Sequence, residues 1–125
     1  MDWYNSMLEV KNNSNYKITV LYSNSKEEAH SENNIEFFTS DDQTIYPNTS
    51  KPISISGKPE AWHDYINAGL TKKLYIYVFS VDTILRDKGH YTINDLVYKH
   101  QYLKLLEFSE KQLIANKWQV IFQGN

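Results

Sequence analysis

Leu74-Tyr75-Ile76-Tyr77-Val78-Phe79-Ser80-Val81 is the stretch on which the fold reading turns. It is too short for a membrane span and too apolar on both faces for a half-exposed strand. Side chains alternate across a strand, so Leu74, Ile76 and Val78 occupy one face while Tyr75, Tyr77 and Phe79 occupy the other. A central strand covered on both sides is the expected element. A second alternating stretch, Trp118, Val120 and Phe122 with Gln119 pointing the other way, closes the chain as another strand.

Working outward, Leu8 and Val10 alternate with polar neighbours as a first short strand. Lys11-Asn12-Asn13-Ser14-Asn15 follows, a run whose side chains bond their own backbone and so favour a turn. Tyr16, Ile18, Val20 and Tyr22 then share one strand face, and these two pieces read as a hairpin or adjacent strands. Residues 23–34 form a polar loop, 35–39 an edge strand, and 44–46 the start of another. Ile53 and Ile55 face one way on a strand with a wet side. A helix is expected over 61–68, with Trp62 and Ile66 four apart on its buried side and Gly69 as a left-handed cap.

Asp82 or Thr83 caps a short segment over 84–88. Thr92-Ile93-Asn94-Asp95 and Ser109-Glu110-Lys111-Gln112 are capping-box patterns opening two more helices, the second over 110–116. A strand over 102–108 lies between them. Six to eight strands with two or three short helices late in the chain give a mainly β domain. The expected architecture is an immunoglobulin-like β-sandwich with helical crossovers in the C-terminal half; an α+β single sheet is the alternative.

The chain has 125 residues, so one domain spanning 1–125 is expected. Net charge is −2, and the lysines of the second half are scattered, which disfavours nucleic acid and anionic membranes as partners. There is no cysteine, which excludes disulfides, thiolate nucleophiles and zinc–thiolate sites. No apolar run is long enough to span a bilayer. Met1-Asp2-Trp3-Tyr4 has neither a basic n-region nor an apolar h-region. A cytoplasmic location is expected, or a periplasmic or outer-surface one if a leader has been removed.

Residues 74–79 with Asp82-Thr83 after them, 103–108, 109–113, Asn116-Lys117-Trp118-Gln119-Val120 and the early Val10-Lys11-Asn12-Asn13-Ser14 carry a resemblance. In this pattern the chain resembles a family of small β-rich envelope-associated or secreted proteins from gut Bacteroidetes. The resemblance implies a cell-envelope or lipoprotein setting and brings no activity and no catalytic residue. The family's lipobox cysteine is missing here.

No residue is assigned a catalytic role, and neither a metal nor a cofactor is expected. Trp62-His63-Asp64 places a general-base candidate beside a carboxylate, but neighbours on one element point apart, and a surface histidine beside a packed Trp is the simpler reading. His30, His63, His90 and His100 have no metal-ligand spacing. The six carboxylates between Lys26 and Asp42 lack the EF-hand pattern, so a solvated loop is expected there.

Ten Tyr, five Phe and three Trp leave binding as the leading function, because a ring is apolar while its polar handle takes a hydrogen bond. The expectation is a noncatalytic binding or structural module with a protein or glycan partner. Its candidate surface is Tyr75 and Tyr77, if their sheet face is open, with Trp62 and His63. A small hydrolase using His63 or His90 with a carboxylate is the second reading. A homodimer or other homo-oligomer joined through open sheet edges is the third.

Overall fold

A computed structural model describes residues 7–26, 35–54 and 60–124. Along the chain these form β1 (Met7–Asn12), β2 (Ile18–Ser23), α1 (Ile35–Thr39), β3 (Ser50–Ser54), α2 (Ala61–Ala68) and β4 (Lys73–Ser80). There follow α3 (Val81–Arg86), α4 (Ile93–Tyr98), β5 (Lys104–Ser109), α5 (Glu110–Ala115) and β6 (Gln119–Phe122). The strands make two three-stranded sheets, ordered β3-β1-β6 and β2-β4-β5. In the first, β1 is antiparallel to β3 and parallel to β6. The second is antiparallel throughout.

β4 is the central strand its sequence demands, buried from Leu74 to its end. Leu74, Ile76 and Val78 enter one core with Leu8 and Val10 of β1, Val120 and Phe122 of β6, Trp62 and Ile66 of α2, and Leu113 of α5. Tyr75, Tyr77 and Phe79 enter a second core with Phe38 of α1, Ile84 of α3 and Ile93, Leu96 and Val97 of α4. Each fully buried aliphatic side chain contributes about 1.5–3 kcal/mol, so one strand anchors both cores.

The β-sandwich expectation is therefore wrong. The fold is mixed α+β, with five helices among the described residues and two separate open sheets. The alternative had the right class but one sheet too few. An apolar strand face calls for a cover without specifying its kind. Here helices α1, α3 and α4 supply the second cover of β4. Residues 35–39, expected as an edge strand, form α1: Phe38 turns into the second core and the Thr39 hydroxyl donates to the Ile35 carbonyl at 2.7 Å.

β1 and β2 are not a hairpin but belong to different sheets. The expected strand start at 44–46 contributes a single antiparallel bridge, Ile45 to Ile18. Ile55 and residues 27–34 of the expected acidic loop lie outside the described residues.

Helix ends follow local rules closely. Thr92 with Asp95, and Ser109 with Gln112, form complete capping boxes. α3 starts earlier than expected: Ser80, not Asp82 or Thr83, is the N-cap and accepts from the Thr83 amide. Gly69 is not a left-handed cap, since its φ is −82°. It is glycine for space, because a Cβ there would stand 2.5 Å from the Asn24 carbonyl oxygen.

Candidate functional site

β1 ends at Asn12, and this residue steers the chain from one sheet into the other. Its side chain is fully buried, which is costly for a carboxamide unless every polar atom is met. They are met. Nδ2 donates to the carbonyls of Tyr16 at 2.7 Å and Ile45 at 2.9 Å, and Oδ1 accepts from the Ser14 amide at 3.0 Å and from the Ser14 hydroxyl. The Asn12 backbone donates to Thr49 O and accepts from Asn48 N. The Ser14 hydroxyl in turn accepts from Tyr16 N, and Asn13 N donates to Phe122 O at 2.8 Å. The turn is thus tied to β6, to the 45–49 segment and to itself.

Two tyrosines flank this node with their rings exposed, Tyr16 at 45% and Tyr46 at 43%. The Tyr46 hydroxyl donates to Asp41 Oδ1, and that hydrogen bond, with the negative charge beside it, raises the phenol above its ordinary value of 10.0. Between the turn and the strand end lies a groove of about 340 Å³, lined by Asn13, Ser14, Asn15, Tyr16, Gln123 and Gly124. Among the described residues none in this wall is ionisable near neutral pH. The side-chain amides of Asn13, Asn15 and Gln123 have no protein hydrogen-bond partner among the described residues, and all three residues are exposed. Gly124 has a φ of +93°, and a Cβ on it would reach 3.0 Å from the Ser14 Cβ, so the groove keeps its depth at that wall.

The sequence-derived surface is placed elsewhere. Tyr75 and Tyr77 lie inside the second core at 3% and 0% exposure, so their sheet face is closed. The Tyr75 hydroxyl meets Thr71 Oγ1 at 2.9 Å, and the Tyr77 ring packs edge-on against Tyr102. Trp62 is fully buried, edge-on to Tyr22 and Tyr65, and its Nε1 has no acceptor among the described residues. The uncovered sheet face belongs to β1 and β6 and carries Glu9, Lys11, Gln119 and Ile121, with no aromatic ring among these.

His63 is half-buried and meets Glu110 rather than its neighbour Asp64. A carboxylate only accepts, so His63 Nδ1 is the donor, at 2.6 Å from Glu110 Oε2. Asn67 Nδ2 donates to His63 O at 2.8 Å and stands 3.3 Å from Glu110 Oε1. His90 lines a different cleft of about 510 Å³ with Tyr91, Ile35 and the Lys88–Glu36 ion pair. Among the described residues no group of three His, Asp or Glu side chains could hold a metal ion. Nor is any helix among them long and apolar enough to cross a membrane.

Alternation places Tyr16 on a strand face and the Asn12 run in a turn, so neither stands out in the sequence as a candidate site residue. The dense Asn-Asn-Ser-Asn run was the available signal.

No family model, curated protein or solved structure matches this chain. The resemblance to envelope proteins of Bacteroidetes, and the cell-envelope placement drawn from it, thus gain no support.

Proposed function

We propose that the protein is a noncatalytic binding module whose contact surface is the Asn12 corner, with a protein or a glycan as its partner. The observation that carries this reading is Tyr16: a half-exposed ring on a turn locked by a buried, fully bonded asparagine. A recognition side chain gains most when little freedom is lost on contact, and tyrosine on a braced backbone has only two torsions to fix. The unengaged carboxamides beside it supply adaptable donors and acceptors.

One observation favours the hydrolase reading, the 2.6 Å contact of His63 with Glu110. Against it, His63 is in the wall of neither cleft described above, and its carboxylate partner also opens a helix.

The two readings separate in one comparison. The wild-type chain, Tyr16→Ala and His63→Ala are screened on immobilised glycans and displayed peptides, and in parallel on chromogenic ester and glycoside substrates. A partner retained by wild type and His63→Ala but lost by Tyr16→Ala is the expected result. Turnover that disappears in His63→Ala, or a partner held equally by Tyr16→Ala, would overturn the binding-module reading as stated.

A further inference from the structure

We infer that the groove between the 13–16 turn and Gln123–Gly124 is a subsite for a neutral carbohydrate unit. This rests on the binding-module reading and names its ligand class. The wall chemistry selects for charge first: among the described residues lining it there is no Asp, Glu, His, Lys or Arg to compensate a desolvated phosphate, carboxylate or ammonium. It selects for hydroxyls second. Asn13, Asn15 and Gln123 each present a carbonyl acceptor beside two N–H donors, the pairing that adjacent sugar hydroxyls require, and none is committed to another protein group among the described residues.

It selects for a flat apolar patch third. The exposed Tyr16 ring can cover the C–H face of a pyranose while its hydroxyl stays wet. The volume of about 340 Å³ falls at the small end of ligand sites, about 300–1,000 Å³, which suits a sugar unit rather than a long chain. The floor is preformed, since Asn13 N is bonded to Phe122 O and Ser14 is clamped by Asn12, so binding does not require the turn to order. An open, wet groove of this size gives weak binding, with a Kd on the order of 1 mM.

The test is a chemical-shift titration of the ¹⁵N-labelled full chain with neutral oligosaccharides (gluco-, manno-, xylo- and chito-series) and with an acidic one, polygalacturonate. Expected are saturable shifts with at least one neutral series. These would centre on the side-chain amides of Asn13, Asn15 and Gln123 and the backbone of Tyr16, with none from polygalacturonate. Tyr16→Ala and, independently, Gln123→Ala should each weaken that binding by about tenfold. Silence at those amides up to about 20 mM of every neutral series would overturn the subsite. So would shifts that both variants leave unchanged, or preference for the acidic sugar. A peptide that binds through Tyr16 in place of any sugar would end the carbohydrate assignment and leave the binding module standing. Turnover abolished in His63→Ala would remove the module itself.

Discussion

Glu110 Oε2 receives the Nδ1–H of His63 at 2.6 Å, and so the first residue of α5 is latched to the middle of α2 across 47 positions of sequence. The two helices otherwise contribute Trp62, Ile66 and Leu113 to the same core, so the latch fixes their relative placement on the surface above it. Glu110→Gln keeps the shape and removes the charge. Both partners are partly exposed, which discounts the pair, and a loss of about 1 kcal/mol is expected. Urea unfolding should show a lower midpoint with an unchanged slope. An unchanged midpoint would mean that packing alone sets the helices.

Asn12 carries a larger share. Asn12→Ala strips the buried Ser14 amide of its acceptor and the Ile45 carbonyl of one of its two donors, the Ile18 amide remaining as the other. About 3 kcal/mol of destabilisation is expected, since each stranded buried group costs roughly 1–3 kcal/mol and the turn can relax toward water. Asn12→Asp should be no milder, because a carboxylate cannot donate to Tyr16 and Ile45. Calorimetric unfolding of the three chains checks this. An Asn12→Asp protein as stable as wild type would contradict the assigned amide orientation.

Two backbone positions should respond with opposite signs. Gly69→Ala places a methyl 2.5 Å from the Asn24 carbonyl and is expected to cost about 1–3 kcal/mol, although its φ suits any residue. Lys117 holds a φ of +56° just past α5, where its amide donates to Ile114 O. Lys117→Gly relieves that left-handed strain and should add about 0.5–1 kcal/mol. Denaturant midpoints of both variants are the measurement, and two shifts of the same sign would refute the argument.

Stability should bend at both ends of the pH scale, for opposite reasons. Hydrogen bonds from Thr92, its backbone amide foremost, hold the Asp95 carboxyl below its ordinary 3.8. A depressed carboxyl stabilises above its unfolded value, and that contribution fades as pH falls through the folded one. The Tyr46 phenol, raised by its bond to Asp41, behaves in the mirror sense: its contribution is intact below about 10 and fades as pH climbs through the folded value. Asp95→Asn should therefore flatten the acid limb of a Tm-against-pH curve, and Tyr46→Phe the alkaline limb, each leaving the other limb unchanged. Variants whose curves run parallel to wild type would show that other groups dominate.

What the sequence made legible was local. The Thr92 and Ser109 boxes, the Trp62/Ile66 pairing and the two-faced run at Leu74 to Phe79 are encoded within a few residues, and each appears in the fold. What it hid was direction. The turn that takes the chain from β1 to β2 in the other sheet is tied by an asparagine bonded to Ile45, a contact across 33 positions that no local pattern reveals. Ile35-Glu36-Phe37-Phe38-Thr39 has strand-favouring composition, yet it packs as a helix with Phe38 in the core over the aromatic face of β4, a tertiary preference outweighing a local one. The His63–Glu110 contact was illegible for the same reason, since the adjacent Asp64 was the only partner that spacing could suggest.

The parallel pairing of β1 with β6 carries a consequence for biosynthesis. Glu9 to Asn12 register with Gln119 to Phe122, so β1 must wait for a partner made about 110 residues later. The β2-β4-β5 sheet needs nothing beyond Ser109. On a translating ribosome that sheet can assemble first, leaving Leu8 and Val10 uncovered on one side until residues 119–122 emerge from the exit tunnel. Nascent chains arrested between these two points should therefore bind holdase chaperones through β1.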